Sequence, residues 1–123
     1  MDESSALSVA RAYHRAWTGG HFDEAAGYLA ESLAVEVPIN SYPTKASFVQ
    51  AVRFTREMAS GIEVLSELGG GGEAMVLYDM SLPFGTMRVV EHFSVSEGRI
   101  DRIRQIHDTH AFRAAAAAAG TGP

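Results

Sequence analysis

The chain contains no cysteine. That excludes a disulfide framework and any thiolate metal site. It also lacks an excess of positive charge: 10 Lys and Arg against 15 Asp and Glu give a net charge of −5 and a pI of about 5.4. Such a balance does not provide the electrostatic footprint of a nucleic-acid binder. The arginines are scattered, and the one short concentration, Arg99, Arg102 and Arg104, is diluted by Asp101 and Asp108. Long hydrophobic runs are missing as well. The longest near-apolar stretch, Ala114 to Ala119, is far too short and weakly hydrophobic to span a bilayer. The opening MDESSALS is acidic and polar, unlike the basic-then-apolar start of a secretory signal. A cytoplasmic protein with neither membrane nor nucleic acid as partner is the expectation.

Several catalytic signatures are absent. His14, His21, His92, His107 and His110 show no HxxxH or HExxH spacing, so neither metal nor cofactor is expected. No serine sits in a GxSxG elbow, which leaves covalent catalysis without support. Gly69 to Gly72 resembles a phosphate loop only in composition. Glu73-Ala74 and a strand follow it, not a lysine and a helix, so it reads as a flexible hairpin tip.

What is present is an ordinary globular composition, 46% hydrophobic and 20% charged over 123 residues, enough for one domain with a real core. A single domain over residues 1–119 is expected, with Gly120 to Pro123 as a fraying tail. Ser4 or Ser5 can cap a first helix that stops at Gly19-Gly20. Tyr13 and Trp17 share its buried face. Asp23 is the expected cap of a short helix running through Tyr28, Leu29 and Ala30. Leu33 to Val37 reads as a strand ended by Pro38. Thr44 can cap a third helix whose inner stripe is Phe48, Val52, Thr55 and Met58, with Ser60-Gly61 as its stop. Strands over Ile62–Leu68 and Glu73–Leu82 follow, then a turn at Pro83 to Gly85. After Asp108 the alanine-rich segment favours helix. Helices followed by a run of antiparallel strands give an α+β fold, a curved sheet wrapped on helices.

The most informative stretch is Thr86 to Asp108, TMRVVEHFSVSEGRIDRIRQIHD. Met87, Val89, Glu91, Phe93 and Val95 alternate onto one strand face, with His92 and Ser94 on the other. Ser96 to Gly98 is a turn, and Arg99 to His107 returns as the partner strand. Glu91 therefore sits inside an apolar stripe, where a carboxylate is costly unless paired or protonated. If the two halves pair, Glu91 and His107 share one pocket. Glu91 is then either a structural carboxylate held by Tyr13 or His107, or a site residue. Histidine suits proton transfer near neutrality, which makes His107 a candidate base. His92 belongs to the outer face.

The residues AYHRAWTGGHFDEAAGYLAESLAVEVP and VVEHFSVSEGRIDRIRQIHDTHAF resemble the opening and the closing hairpin of the NTF2-like superfamily. That superfamily includes SnoaL-like polyketide cyclases, ketosteroid isomerase and limonene-epoxide hydrolase. The resemblance implies a cone (a cystatin-like α+β roll) around a deep apolar pocket, and a homodimer through the outer sheet face with His92, Arg104 and Ile106 in contact. Against ketosteroid isomerase, Tyr13 stands at the oxyanion-hole tyrosine and Glu91 near the second, protonated donor. Val37 occupies the place of that family's general base, and Glu36 points to the other face. Against limonene-epoxide hydrolase, Arg104 matches, but Gln105 replaces the pocket aspartate. Against the cyclases, one pocket acid or base suffices, and Glu91 with His107 provides it.

The implied site has Tyr13, Glu91 and His107 as its catalytic groups. Trp17, Val37, Phe54, Met58, Met87, Val89, Phe93 and Gln105 are expected to line it for binding. The implied ligand is small, mostly apolar and bears a carbonyl or hydroxyl, with cofactor-independent isomerase, cyclase or dehydratase chemistry. The alternatives are a non-catalytic binding module and a dimerisation scaffold whose cone is filled by Trp17, Phe54, Phe93 and the methionines.

Overall fold

A computed structural model describes the chain over residues 4–38 and 40–110. Three helices, α1 (Ser4–Thr18), α2 (Phe22–Gly27) and α3 (Lys45–Met58), accompany five strands. These are β1 (Leu29–Glu36), β2 (Gly61–Gly70), β3 (Glu73–Leu82), β4 (Gly85–Ser96) and β5 (Arg99–His107). The sheet order is β1-β5-β4-β3-β2. β2 to β5 form an antiparallel meander, and β1 adds to its edge parallel to β5. This is the expected α+β architecture, a curved and unclosed sheet against helices. The alanine-rich segment from residue 111 onward and the tail lie outside the described residues.

Local chemistry accounts for the boundaries. Thr44 accepts from the Ser47 amide at 3.1 Å while Ser47 Oγ accepts from the Thr44 amide at 3.2 Å, a reciprocal cap that starts α3. α2 is shorter than expected. His21, not Asp23, stands at its N-cap and makes no side-chain cap bond. Tyr28 is its C-cap, so Leu29 and Ala30 open β1 instead of extending the helix. Burial decides this: Leu29 is 1% exposed and pairs with Ile100, and the Ile100 amide donates to the Tyr28 carbonyl at 2.8 Å. The tetraglycine is not all hairpin tip. Gly69 and Gly70 belong to β2, and only Gly71 and Gly72, with φ of 61° and 80°, make the turn.

The core lies between the concave sheet face and α1. Ala10, Tyr13, Trp17, Leu29, Val76, Phe93, Ile100 and Ile103 are all buried there. α1 presents Ala6, Ala10, Tyr13 and Trp17 at spacings of three and four residues, as a helix with one apolar stripe must. His14 is buried on that same face, 1% exposed, although the sequence reading gave it no part in the core. The outer sheet face carries Ile106, 68% exposed, and ion pairs such as Arg104 to Glu36 at 3.1 Å. His92 also faces outward, with Nε2 2.6 Å from Glu73 Oε1.

Candidate functional site

The concave face and the helices do not meet everywhere. Between α1, α3 and strands β3 to β5 lies a cavity of about 90 Å³. α1 gives it Tyr13 and Trp17, and the segment after β1 gives Val37, Pro38, Asn40 and Tyr42. Phe48, Val52, Thr55 and Met58 of α3 form one wall, and Met80, Leu82, Met87 and Val89 another. Tyr78, Glu91, Gln105 and His107 complete it.

Glu91 reaches this cavity because β4 alternates. Val89, Glu91 and Phe93 point to the concave side, at 1%, 1% and 0% exposure. Glu91 pairs with Val76 on β3 and with Gln105 on β5. Gln105 Nε2 donates to Glu91 Oε2 at 2.8 Å. Tyr78, one same-face position along β3, donates its hydroxyl to Oε1 at 3.2 Å. Burial pushes the Glu91 carboxyl up to about 7, and the bonds from Gln105 and Tyr78 only partly oppose this. Burial, with the nearby Glu91 charge, also raises the Tyr13 and Tyr78 hydroxyls well above the ordinary tyrosine value. His14 is driven down to about 4 by burial, which Glu67 partly offsets. Its ring packs edgewise on Tyr78 and Trp17, at centroid distances of 4.6 and 5.3 Å. Glu91, Tyr13 and Tyr78 of the cavity lining are therefore held uncharged up to near-neutral pH.

Three buried polar atoms beside it, Tyr13 Oη, Trp17 Nε1 and His14 Nε2, have no hydrogen-bond partner among the described residues. Buried donors are rarely left this way, and each costs about 1–3 kcal/mol when it is. Tyr13 and Trp17 both line the cavity.

Nine of the residues named from sequence line this cavity: Tyr13, Trp17, Val37, Met58, Met87, Val89, Glu91, Gln105 and His107. Two do not. Phe54 is 62% exposed because it lies on the face of α3 turned away from the sheet. Phe93 is 0% exposed and packs in the core, its ring edge-on to Tyr13 at 5.8 Å. Phe54 therefore does not reach the cone interior, and Phe93 packs there beside the cavity without lining it. Glu91 and His107 share this cavity as expected, but His107 does not bond to the carboxylate. His107 lies opposite Val89, one same-face position away from Glu91, and its Nδ1 is 3.3 Å from the Asp108 carbonyl. The bonding partners of Glu91 are Gln105 and Tyr78, and Tyr13 makes no bond to it.

Tyr78 is the residue that sequence reasoning missed. Its signal was present: Ala74, Val76, Tyr78, Met80 and Leu82 alternate along β3, and every one is buried. What was lacking was the register that sets Tyr78 beside Glu91. Among the described residues no three His, Asp or Glu side chains come together as a metal-ligand group. No helix among them is long and apolar enough to cross a membrane.

No family model matches the chain, and no curated protein is similar to it. Solved structures are. A crystal structure from Kribbella flavida DSM 17836, whose description names no activity, is 32% identical at a TM-score of 0.87, covering 97% of this chain and 99% of that one. An NTF2-like protein of unknown function from Cytophaga hutchinsonii ATCC 33406 has a TM-score of 0.76 at 12% identity, covering 88% and 94%. The chain shares the NTF2-like fold. A candidate ketosteroid isomerase from Kribbella flavida DSM 17836 is 22% identical with a TM-score of 0.73, covering 86% of this chain and 79% of that one. Likeness at that level shows a shared fold. What this NTF2-like chain does must come from its own cavity.

Proposed function

We propose that the cavity binds a small, mostly apolar molecule bearing a carbonyl or hydroxyl oxygen. Tyr13 and Trp17 hold that oxygen, and Glu91 takes and returns a proton in cofactor-independent chemistry of the isomerase, cyclase or dehydratase kind. One observation carries this reading: two residues whose buried donors lack protein partners line the same cavity as a carboxyl that titrates near neutrality. A ligand oxygen satisfies the donors, the aliphatic and methionine walls take its apolar body, and Glu91 is matched in pKa to proton transfer at neutral pH. His107, toward the Val89 end of the lining, is a second residue of a type suited to proton transfer. The candidate ketosteroid isomerase among the structural neighbours is consistent with this chemistry.

A second reading, ligand binding without turnover, is favoured by Val37. It lines the cavity at the position where ketosteroid isomerases carry their base, and it can accept no proton. A β,γ-unsaturated cyclic ketone, cyclohex-3-enone, separates the two. Its conversion to the conjugated isomer moves one proton from the α carbon to the γ carbon and is followed by ultraviolet absorbance. We expect Tyr13→Phe to weaken ketone binding by about tenfold, and Glu91→Gln to bind the ketone but abolish its conversion. Binding with the ketone recovered unchanged selects the second reading. Ketone binding unaffected in Tyr13→Phe overturns the site.

A further inference from the structure

Both oxygens of Glu91 are engaged by donors from neighbouring strands, Oε1 by Tyr78 Oη at 3.2 Å and Oε2 by Gln105 Nε2 at 2.8 Å. Tyr78 also faces the cavity. A phenol has one O–H and two acceptor lone pairs, while an ionised carboxylate only accepts. With Glu91 ionised, the Tyr78 O–H is therefore committed to Oε1, and Tyr78 offers the cavity lone pairs alone. With Glu91 protonated, a proton on Oε1 toward Tyr78 Oη keeps the Gln105 bond and reverses the Tyr78 one. The Tyr78 O–H is then released toward the cavity.

We propose that Tyr78 is the specificity-determining residue of the cavity and that Glu91, acting through it, reverses its hydrogen-bonding direction. A carbonyl-type acceptor is favoured when Glu91 is neutral, and an N–H or O–H donor when it is ionised. This rests on the reading of the cavity as a small-molecule site and adds which ligand chemistry it selects. Tyr13 and Trp17 supply a constant preference for acceptors; the Tyr78–Glu91 pair supplies the variable part.

The groups packed around Glu91 leave it as the natural switch. From α1, Tyr13 faces it and His14 packs behind Tyr78, both held uncharged by burial around neutral pH. β3 contributes Tyr78, likewise raised. β2 contributes Glu67, which reaches toward His14 and is itself bonded to Arg11 of α1 at 2.9 Å. α3 turns only uncharged side chains to the cavity, and Tyr42 stands on the segment before it. On β4 itself, Arg88 and His92 pair on the outer face with Asp79 and Glu73. Burial places the Glu91 transition at about 7. His107, one same-face position further along β5, is the remaining group to separate by experiment.

Cyclopentanone, an acceptor, and pyrrole, an N–H donor of the same ring size, are suitable probes. Their dissociation constants are measured by amide NMR titration at about pH 5.5 and about pH 8.5, on either side of the Glu91 transition. The ratio of the pyrrole to the cyclopentanone constant is expected to fall by about tenfold from the lower to the higher pH, the scale of one reversed hydrogen bond. It should stay flat in Glu91→Gln and in Tyr78→Phe, and the fall should persist in His107→Gln. The first two variants are independent, so loss of folding in one leaves the other decisive. A ratio that does not change with pH while both probes bind overturns the switch and leaves the cavity reading standing. A change that persists in Glu91→Gln or Tyr78→Phe also overturns it. Failure of pyrrole alone to bind at both pH values removes the inference and leaves the cavity reading standing, whereas failure of cyclopentanone removes both.

Discussion

Glu91 and His14 are both kept uncharged by burial, but they respond to pH in opposite senses. The folded Glu91 carboxyl keeps its proton up to about 7, against 4.5 when exposed. Its contribution to stability is therefore whole below 4.5 and lost as the pH rises to about 7. His14 titrates at about 4 when folded and 6.5 when exposed. Its contribution is whole above 6.5 and lost as the pH falls to about 4. Each amounts to about 3 kcal/mol across its window, and between the two exposed values the slopes oppose one another. Glu91→Gln should therefore gain about 3 kcal/mol relative to the parent as the pH rises through that window. Urea unfolding of both proteins at a series of pH values measures the difference, and a constant difference would show that Glu91 titrates in the ordinary carboxylate range. That Glu91 sits among apolar residues was legible from the two-residue alternation of MRVVEHFSV. Its partner was not, because Gln105 and His107 share one face of β5 and only the register chooses between them.

At the scale of elements, that register depends on one irregularity. Next to the Glu97–Gly98 turn, Val95 pairs with Ile100, but beyond a bulge at Ser94/Val95 the pairing becomes Ser94 with Arg102. Continued without the bulge, the hairpin would set Glu91 opposite Arg104 and turn Gln105 to the outer face, since a one-residue slip exchanges the two faces. The Gly98 φ of 77° fits the tight turn that starts this count. A second close fit joins α1 to β2. A Cβ at Gly69 would lie 2.6 Å from Leu7 Cβ, so this glycine is needed for approach, whereas a flexible tip would not need it. Gly69→Ala should cost about 1–3 kcal/mol, read as a lowered urea midpoint. An unchanged midpoint would mean that α1 is not seated on β2 at Leu7. The cap of α3 at Thr44 was readable from sequence because it is local. The early end of α2 was not, because pairing of Leu29 with a strand seventy residues later overrides the local helical pattern.

Across the whole molecule, core and cavity share walls. Phe93 fills the space behind Tyr13, and Ile100, Ile103 and Val76 close around it at 0% exposure. Phe93→Ala should cost about 3–5 kcal/mol and loosen Tyr13 with it. Phe54→Ala, on the exposed face of α3, should stay within about 0.5 kcal/mol and leave ketone binding unchanged. Chemical denaturation of the two variants side by side tests the assignment, and similar losses in both would refute it. The sequence by itself determined the order of helices and strands, the face on which Glu91 lies and the apolar character around it. Periodicity and capping are short-range properties, set by residues within a few positions of one another. Only the tertiary structure decided that Gln105 and Tyr78 hold Glu91, that His14 is buried behind Tyr78, and that Phe93 belongs to the core and Phe54 to the surface. Those outcomes follow from cross-strand register and from how far each helix sits from the sheet. Both are set by contacts between distant segments, which no local pattern specifies.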